Sequence, residues 1–131
     1  MRWRVVLQPV TTLRSSMAAV VQTFQEARFA RRPGAGSDGQ AFVNVYRNTY
    51  TSGNITFDID TTSNVCVPVT APGTGAFWTT TTTNKTIGFG ALGVLHFPSF
   101  TRLGEWVRWR VNTPASVGQI DFDVIIYFDD T

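Results

Sequence analysis

The chain has 131 residues, 43% hydrophobic and 15% charged, with a formal net charge of +2. That is one domain's length, able to bury a core without staples, and too apolar for a disordered chain. One cysteine and one histidine exclude an intramolecular disulfide, a cysteine-based zinc site and a histidine-rich metal site.

In chain order, Met1-Arg-Trp-Arg-Val-Val-Leu-Gln-Pro9 opens basic and briefly apolar. Its apolar run breaks at Gln8 and Pro9, short of an export signal, and no run approaches the ~20 residues of a membrane span. Trp3–Leu7 has the character of a first strand. Leu13, Met17, Val20, Val21 and Phe24 fall at helical spacing. Ser15, Ser16 and Thr23 work against a helix, so residues 13–24 are expected as a short helix or an extended arm. The Pro/Gly-rich 33–39 segment follows as a flexible connection. Residues 1–40 are thus expected as an N-terminal arm and linker, and 41–131 as the folded domain.

Charge follows the same division. Residues 1–32 carry Arg2, Arg4, Arg14, Arg28, Arg31 and Arg32 against Glu26 alone, which is +5; residues 33–131 hold five basic and eight acidic groups, which is −3. All but one of the basic residues are arginines. Their planar donor forks suit protein interfaces, whereas a nucleic-acid arm mixes lysine and arginine in dense clusters. Arg2, Trp3, Arg4, Arg14, Arg28, Arg31 and Arg32 are therefore candidate protein-docking residues.

From Ala41 the pattern is that of strands. Ala41–Tyr50 alternates, Ser52-Gly53-Asn54 turns, and Ile55, Phe57 and Ile59 alternate with Thr56, Asp58 and Asp60. Val65–Val69 carries Cys66, read as a small apolar strand residue. After the 71–75 loop come the Thr-rich Phe77–Thr83, then Thr86–Gly90, then Leu92–Phe97. Short strands with turns every 8–12 residues predict an all-β antiparallel sandwich, jelly-roll-like, rather than βαβ units.

The last third gives the sharpest expectation. Val107, Trp109 and Val111 share one strand face and Arg108 and Arg110 the other; Phe122 and Val124 lie opposite Asp121 and Asp123. A hairpin through 113–118 that sets Asn112 against Gln119 brings Trp109 to Phe122, Arg110 to Asp121 and Arg108 to Asp123. Each such pair contributes about 0.2–1 kcal/mol, and a slip of one residue reverses every face.

Little in the sequence points to catalysis. Asp58/Asp60 and Asp121/Asp123 each place two carboxylates about 6.5–7 Å apart on one strand face, a spacing open to a glycosidase pair or a calcium site. The plainer expectation is a polar outer sheet face. His96, within Val94-Leu-His-Phe97, is expected as a satisfied core residue. Asn54-Ile-Thr and Asn84-Lys-Thr match a glycosylation pattern that has meaning only in a secreted chain. No nucleophile elbow or phosphate loop is present. Of the four tryptophans, Trp78 beside Phe77 is the candidate glycan platform.

Ser52-Gly-Asn-Ile-Thr-Phe-Asp-Ile-Asp60, the Thr-rich middle, Leu103-Gly-Glu-Trp-Val-Arg-Trp-Arg-Val111 and Asp121-Phe-Asp-Val-Ile-Ile-Tyr127 together resemble small β-sandwich virion accessory proteins of tailed bacteriophages and prophages, including those that decorate capsids. The resemblance covers residues 40–129. It implies a non-enzymatic virion structural protein without catalytic residues, metal or cofactor. Such a protein docks on the major capsid protein or another virion protein and on its own copies, trimers among the arrangements. The alternatives are a carbohydrate-binding sandwich module of a phage or bacterial adhesion apparatus, using Trp78, and a glycan-cleaving enzyme using one aspartate pair.

Overall fold

A computed structural model describes residues 2–14, 20–21, 38–62, 79–80, 84–101 and 106–129. Nine strands are described: β1 (Arg2–Arg14), β2 (Val20–Val21), β3 (Asp38–Asn48), β4 (Asn54–Thr62), β5 (Thr79–Thr80), β6 (Lys85–Gly88), β7 (Gly93–Thr101), β8 (Trp106–Asn112) and β9 (Gln119–Asp129). They form two antiparallel sheets, one ordered β1-β9-β3-β7 and the other β2-β8-β4-β5, with β6 also paired to β4. Apart from β5 and β6, which share β4 as partner, consecutive strands alternate between the sheets. This is the winding of a jelly roll, and the all-β sandwich expected from the alternation is what the chain forms.

Strict alternation builds the core. The first sheet turns Leu7, Ala41, Val43, Val45, Phe97, Ile120, Phe122, Val124 and Ile126 inward, and the second turns Ile55, Phe57, Ile59, Ile87, Val107, Trp109 and Val111 against them. Phe122 is the joint between layers. Its ring meets Trp109 edge-on at 5.1 Å and Phe57 at 5.1 Å, geometries that add about 0.5–1.5 kcal/mol per pair beyond simple burial.

Two expectations are corrected here. Residues 2–14 are not an arm but a strand of the first sheet, paired with β9 from Arg2↔Asp129 to Arg14↔Gln119. Leu7 is fully buried in the core. The polar character that suggested an arm is that of an edge strand, where among the described residues one side has no partner and Pro9 is tolerated. Register shifts between Val6 and Gln8 and between Gln8 and Thr11 also hide its alternation. At the helical spacing, Leu13 lies in β1 and Val20 and Val21 pair with β8; Met17 and Phe24 lie outside the described residues. The boundary drawn at residue 40 falls inside β3.

The second correction concerns the hairpin. The buried set holds, with Val107, Trp109, Val111, Phe122 and Val124 all inside. However, β8 and β9 belong to different sheets, so 113–118 arches across the sandwich instead of turning within one sheet. Trp109 meets Phe122 across the layers. Arg108 and Arg110 are opposite Asp60 and Asp58 of β4, not Asp123 and Asp121. Face patterning fixes which side of a strand is buried, not which strand it pairs with, and here burial of both apolar faces is better served by the arch.

The arch is tightly held. Gly118 packs so close to the 49–50 backbone that a Cβ there would stand 2.6 Å from Tyr50 Cα. Thr49 N–H donates to the Gln119 carbonyl at 2.9 Å, and Gln119 N–H to Thr49 Oγ1 at 2.9 Å. Ser116 Oγ donates to the Ser52 carbonyl at 2.9 Å, and Phe89 N–H to the Gly53 carbonyl at 3.1 Å. Gly53 takes φ +85, with Pro114 against the place of its missing Cβ. Segments 49–53, 89–92 and 113–118 thus form one interlocked end of the sandwich.

Candidate binding face of the first sheet

The two outer sheet faces handle their carboxylates differently. On the second sheet, β4 and β8 present Asp58 and Asp60 to Arg110 and Arg108. Arg108 Nε donates to Asp60 Oδ2 at 3.0 Å with both side chains fully buried. Arg110 Nε reaches the same oxygen at 3.1 Å, and its Nη2 lies 3.6 Å from Asp58 Oδ2. Burial pulls the Arg108 guanidinium below its ordinary pKa, and Asp60 opposes that pull. Burial pulls Arg110 down as well, but the hydrogen bond and charge of Asp60, with Asp58, outweigh it and leave its pKa raised. Burial raises the Asp58 carboxyl, against the attraction of Arg110. The arrangement is an ion cluster in which one aspartate is shared by two guanidiniums.

On the first sheet, β9 and β3 run side by side with Asp123 opposite Asn44 and Ile125 opposite Phe42. Asp123 accepts from Asn44 Nδ2 at 2.6 Å and from the Tyr46 hydroxyl at 2.7 Å. That bond to a carboxylate, with the negative charge beside it, raises the Tyr46 pKa. Asp121 accepts from the Thr12 hydroxyl at 2.7 Å. Among the described residues these carboxylates accept from neutral donors, with Arg47 opposite Asp121 in the register.

Next to them the same face turns apolar. Phe42 stacks on His96 with centroids 4.5 Å apart and planes 8° from parallel. Tyr127 meets Phe42 edge-on at 5.7 Å and 89°. Phe42, Asn44, Val94, Ile125 and Tyr127 line an open concavity of about 350 Å³, and Val94 is 58% exposed. His96 corrects its expectation: it lies on this exposed face, its Nε2 3.3 Å from Gln40 Oε1, not in the core. The reason is register. Phe97 takes the inward position of β7, which sends its neighbour outward.

Of the sequence-derived docking residues, four lie on β1. Arg4 and Arg14 are exposed on β1. Arg2 and Trp3 lie at its start, opposite Asp129 and Phe128. Arg28, Arg31, Arg32, the glycan candidate Trp78 and Cys66 lie outside the described residues. The Phe42–Tyr127 concavity was missed by reading the sequence. Its one signal was Phe42 and Tyr127 at outward positions of otherwise polar faces. Among the described residues, no three His, Cys, Asp or Glu side chains gather as a metal site, and no helix is long and apolar enough to cross a membrane. No family model matches the chain, and neither a curated protein nor a solved structure matches it.

Proposed function

We propose that this chain is a non-enzymatic structural protein of a phage virion, an accessory or decoration protein that packs against its own copies and a capsid lattice. The observation that carries the reading is the interlocked loop end. Segments 49–53, 89–92 and 113–118 contain no charged residue, yet Phe89, Leu92 and Val117 stand 54%, 63% and 82% exposed there. They stand on the segments that interlock, and clustered exposed apolar side chains mark an interaction site on a monomer. A contact between copies sets like residues near like, where charge repels itself, so a neutral apolar end suits self-association.

Two further features support it. Viral capsid domains use the jelly-roll architecture, as do lectins and cupins, and a single histidine leaves little for a cupin-type metal site. Arg4 and Arg14 on the exposed edge strand supply salt-sensitive contacts to an acidic partner surface.

Light scattering and electron microscopy of the purified chain, across concentration and salt, test the reading. Concentration-dependent assembly, lost in a Phe89→Asp/Leu92→Asp variant that keeps its β-sheet spectrum, is the expected result. A chain that stays monomeric throughout and does not co-sediment with capsids overturns it.

A further inference from the structure

The concavity on the first sheet is unexplained by folding or by assembly through the loop end. An outward strand face gains nothing in core burial from Phe42, Ile125, Tyr127 and Val94, yet the rings there are locked in place. His96 covers one face of Phe42 and Tyr127 abuts it edge-on. Asn44 is fixed as well, because only its amide N–H can donate to the Asp123 carboxylate at 2.6 Å; its carbonyl oxygen is thereby oriented as an acceptor.

The chemistry of the wall selects the ligand. Phe42, Asn44, Val94, Ile125 and Tyr127 include no charged side chain. Asp123, at the side of the wall, is 9% exposed and already accepts from Asn44 and Tyr46, so the wall itself supplies no counter-charge; the exposed Arg4, opposite Tyr127 on β1, stands at its margin. An acyl chain needs an enclosed tunnel, and this site is open. What fits is a flat, neutral ligand with an apolar face and a hydroxylated rim. The apolar face lies on rings and aliphatic carbons, and the rim meets an amide and a phenol. The volume is at the small end of the ~300–1,000 Å³ of ligand sites, room for about one or two sugar rings.

We propose that this concavity is a carbohydrate-binding site. A neutral pyranose lies against Phe42, Ile125 and Val94, with its hydroxyls meeting Asn44 and Tyr127. Because the rings and the amide are held before the ligand arrives, little side-chain ordering opposes binding. The site is independent of the assembly reading.

Full-length protein tested on an array of neutral and acidic glycans, followed by amide chemical-shift titration with the best neutral sugar, decides the matter. The expected result is binding to neutral glycans with shifts centred on residues 42–44, 94–96 and 125–127. Phe42→Ala should weaken binding by tenfold or more and Asn44→Ala by severalfold, both with an unchanged β-sheet spectrum. No glycan signal above background overturns the proposal. So does binding that survives both substitutions, since the sugar then sits elsewhere, or titration of the same amides by an apolar peptide with no response to sugars. If the loop-end variants lose assembly while glycan binding persists, or the reverse, the two readings stand or fall separately.

Discussion

Asp58-Ile-Asp60 and Asp121-Phe-Asp123 are near-identical patterns on the outer faces of the two sheets, yet they become different things. The first is set against arginines on β8, and Asp60 is fully buried between Arg108 and Arg110. The second accepts from Asn44, Tyr46 and Thr12, with Arg47 opposite Asp121, beside an open aromatic hollow. The carboxylate pair does not carry its role within itself. The neighbouring strand decides whether it becomes a buried ion cluster or the polar margin of a binding face.

The largest expected effect comes from breaking the ion cluster. Asp60→Asn leaves two guanidiniums facing a neutral amide, one of them fully buried, and should cost about 3–5 kcal/mol in a denaturant titration. Asp60→Asn combined with Arg108→Met should recover part of that loss, because the buried charge goes with its partner. If Asp60→Asn proves nearly neutral, the cluster is not the structural element described here.

On the other face the same change should matter less. Asp123→Asn keeps the shape but weakens the charge-assisted bonds from Asn44 and Tyr46, and a loss of about 1–2 kcal/mol is expected. It should also let Tyr46 ionise nearer the ordinary tyrosine pKa, because the carboxylate that raised it is gone. Ultraviolet titration, with Tyr46→Phe as the reference, reads this directly. Smaller again is Phe42→Ala. It removes the ring pairs with His96 and Tyr127 from a half-exposed site, for roughly 1 kcal/mol in stability, while its effect on sugar binding is large. A stability loss of core size would instead make Phe42 a packing residue and remove the reason to read the hollow as a site.

These contrasts also mark what the sequence revealed. Alternation in Val107–Val111 and Ile120–Ile126 was enough to identify the buried faces, and Trp109 does meet Phe122. Alternation carries no information about whether two consecutive strands share a sheet. The pairing of Arg108 with Asp123 therefore looked as good on paper as its true pairing with Asp60, which lies 48 positions away. β1 was obscured for a related reason: an edge strand with Pro9 and two register shifts loses the period-2 signal that marks β3 and β9. The hollow was least legible, since Phe42, Val94 and Tyr127 come together only through the β7-β3-β9 order, and each alone reads as an ordinary strand residue.

The smallest and most discriminating effect concerns Asp58. Burial raises its carboxyl pKa, Asp60 adds to that, and Arg110 at 3.6 Å only partly opposes it. A carboxyl that holds its proton more tightly folded than unfolded favours the fold when protonated. That contribution is fully present below the unfolded pKa and fades as pH rises through the raised folded value. Asp58→Asn keeps a neutral, hydrogen-bonding side chain at every pH and so removes this dependence. In stability scans from acid to neutral pH, the wild type should lose ground to Asp58→Asn as pH rises, with the variant at least as stable at neutrality. Arg110→Met should steepen the wild-type fall, because it removes the cation that opposes the raised pKa. The opposite trend, with Asp58→Asn growing less stable than wild type toward neutral pH, would mean that the charge of Arg110 outweighs burial at Asp58.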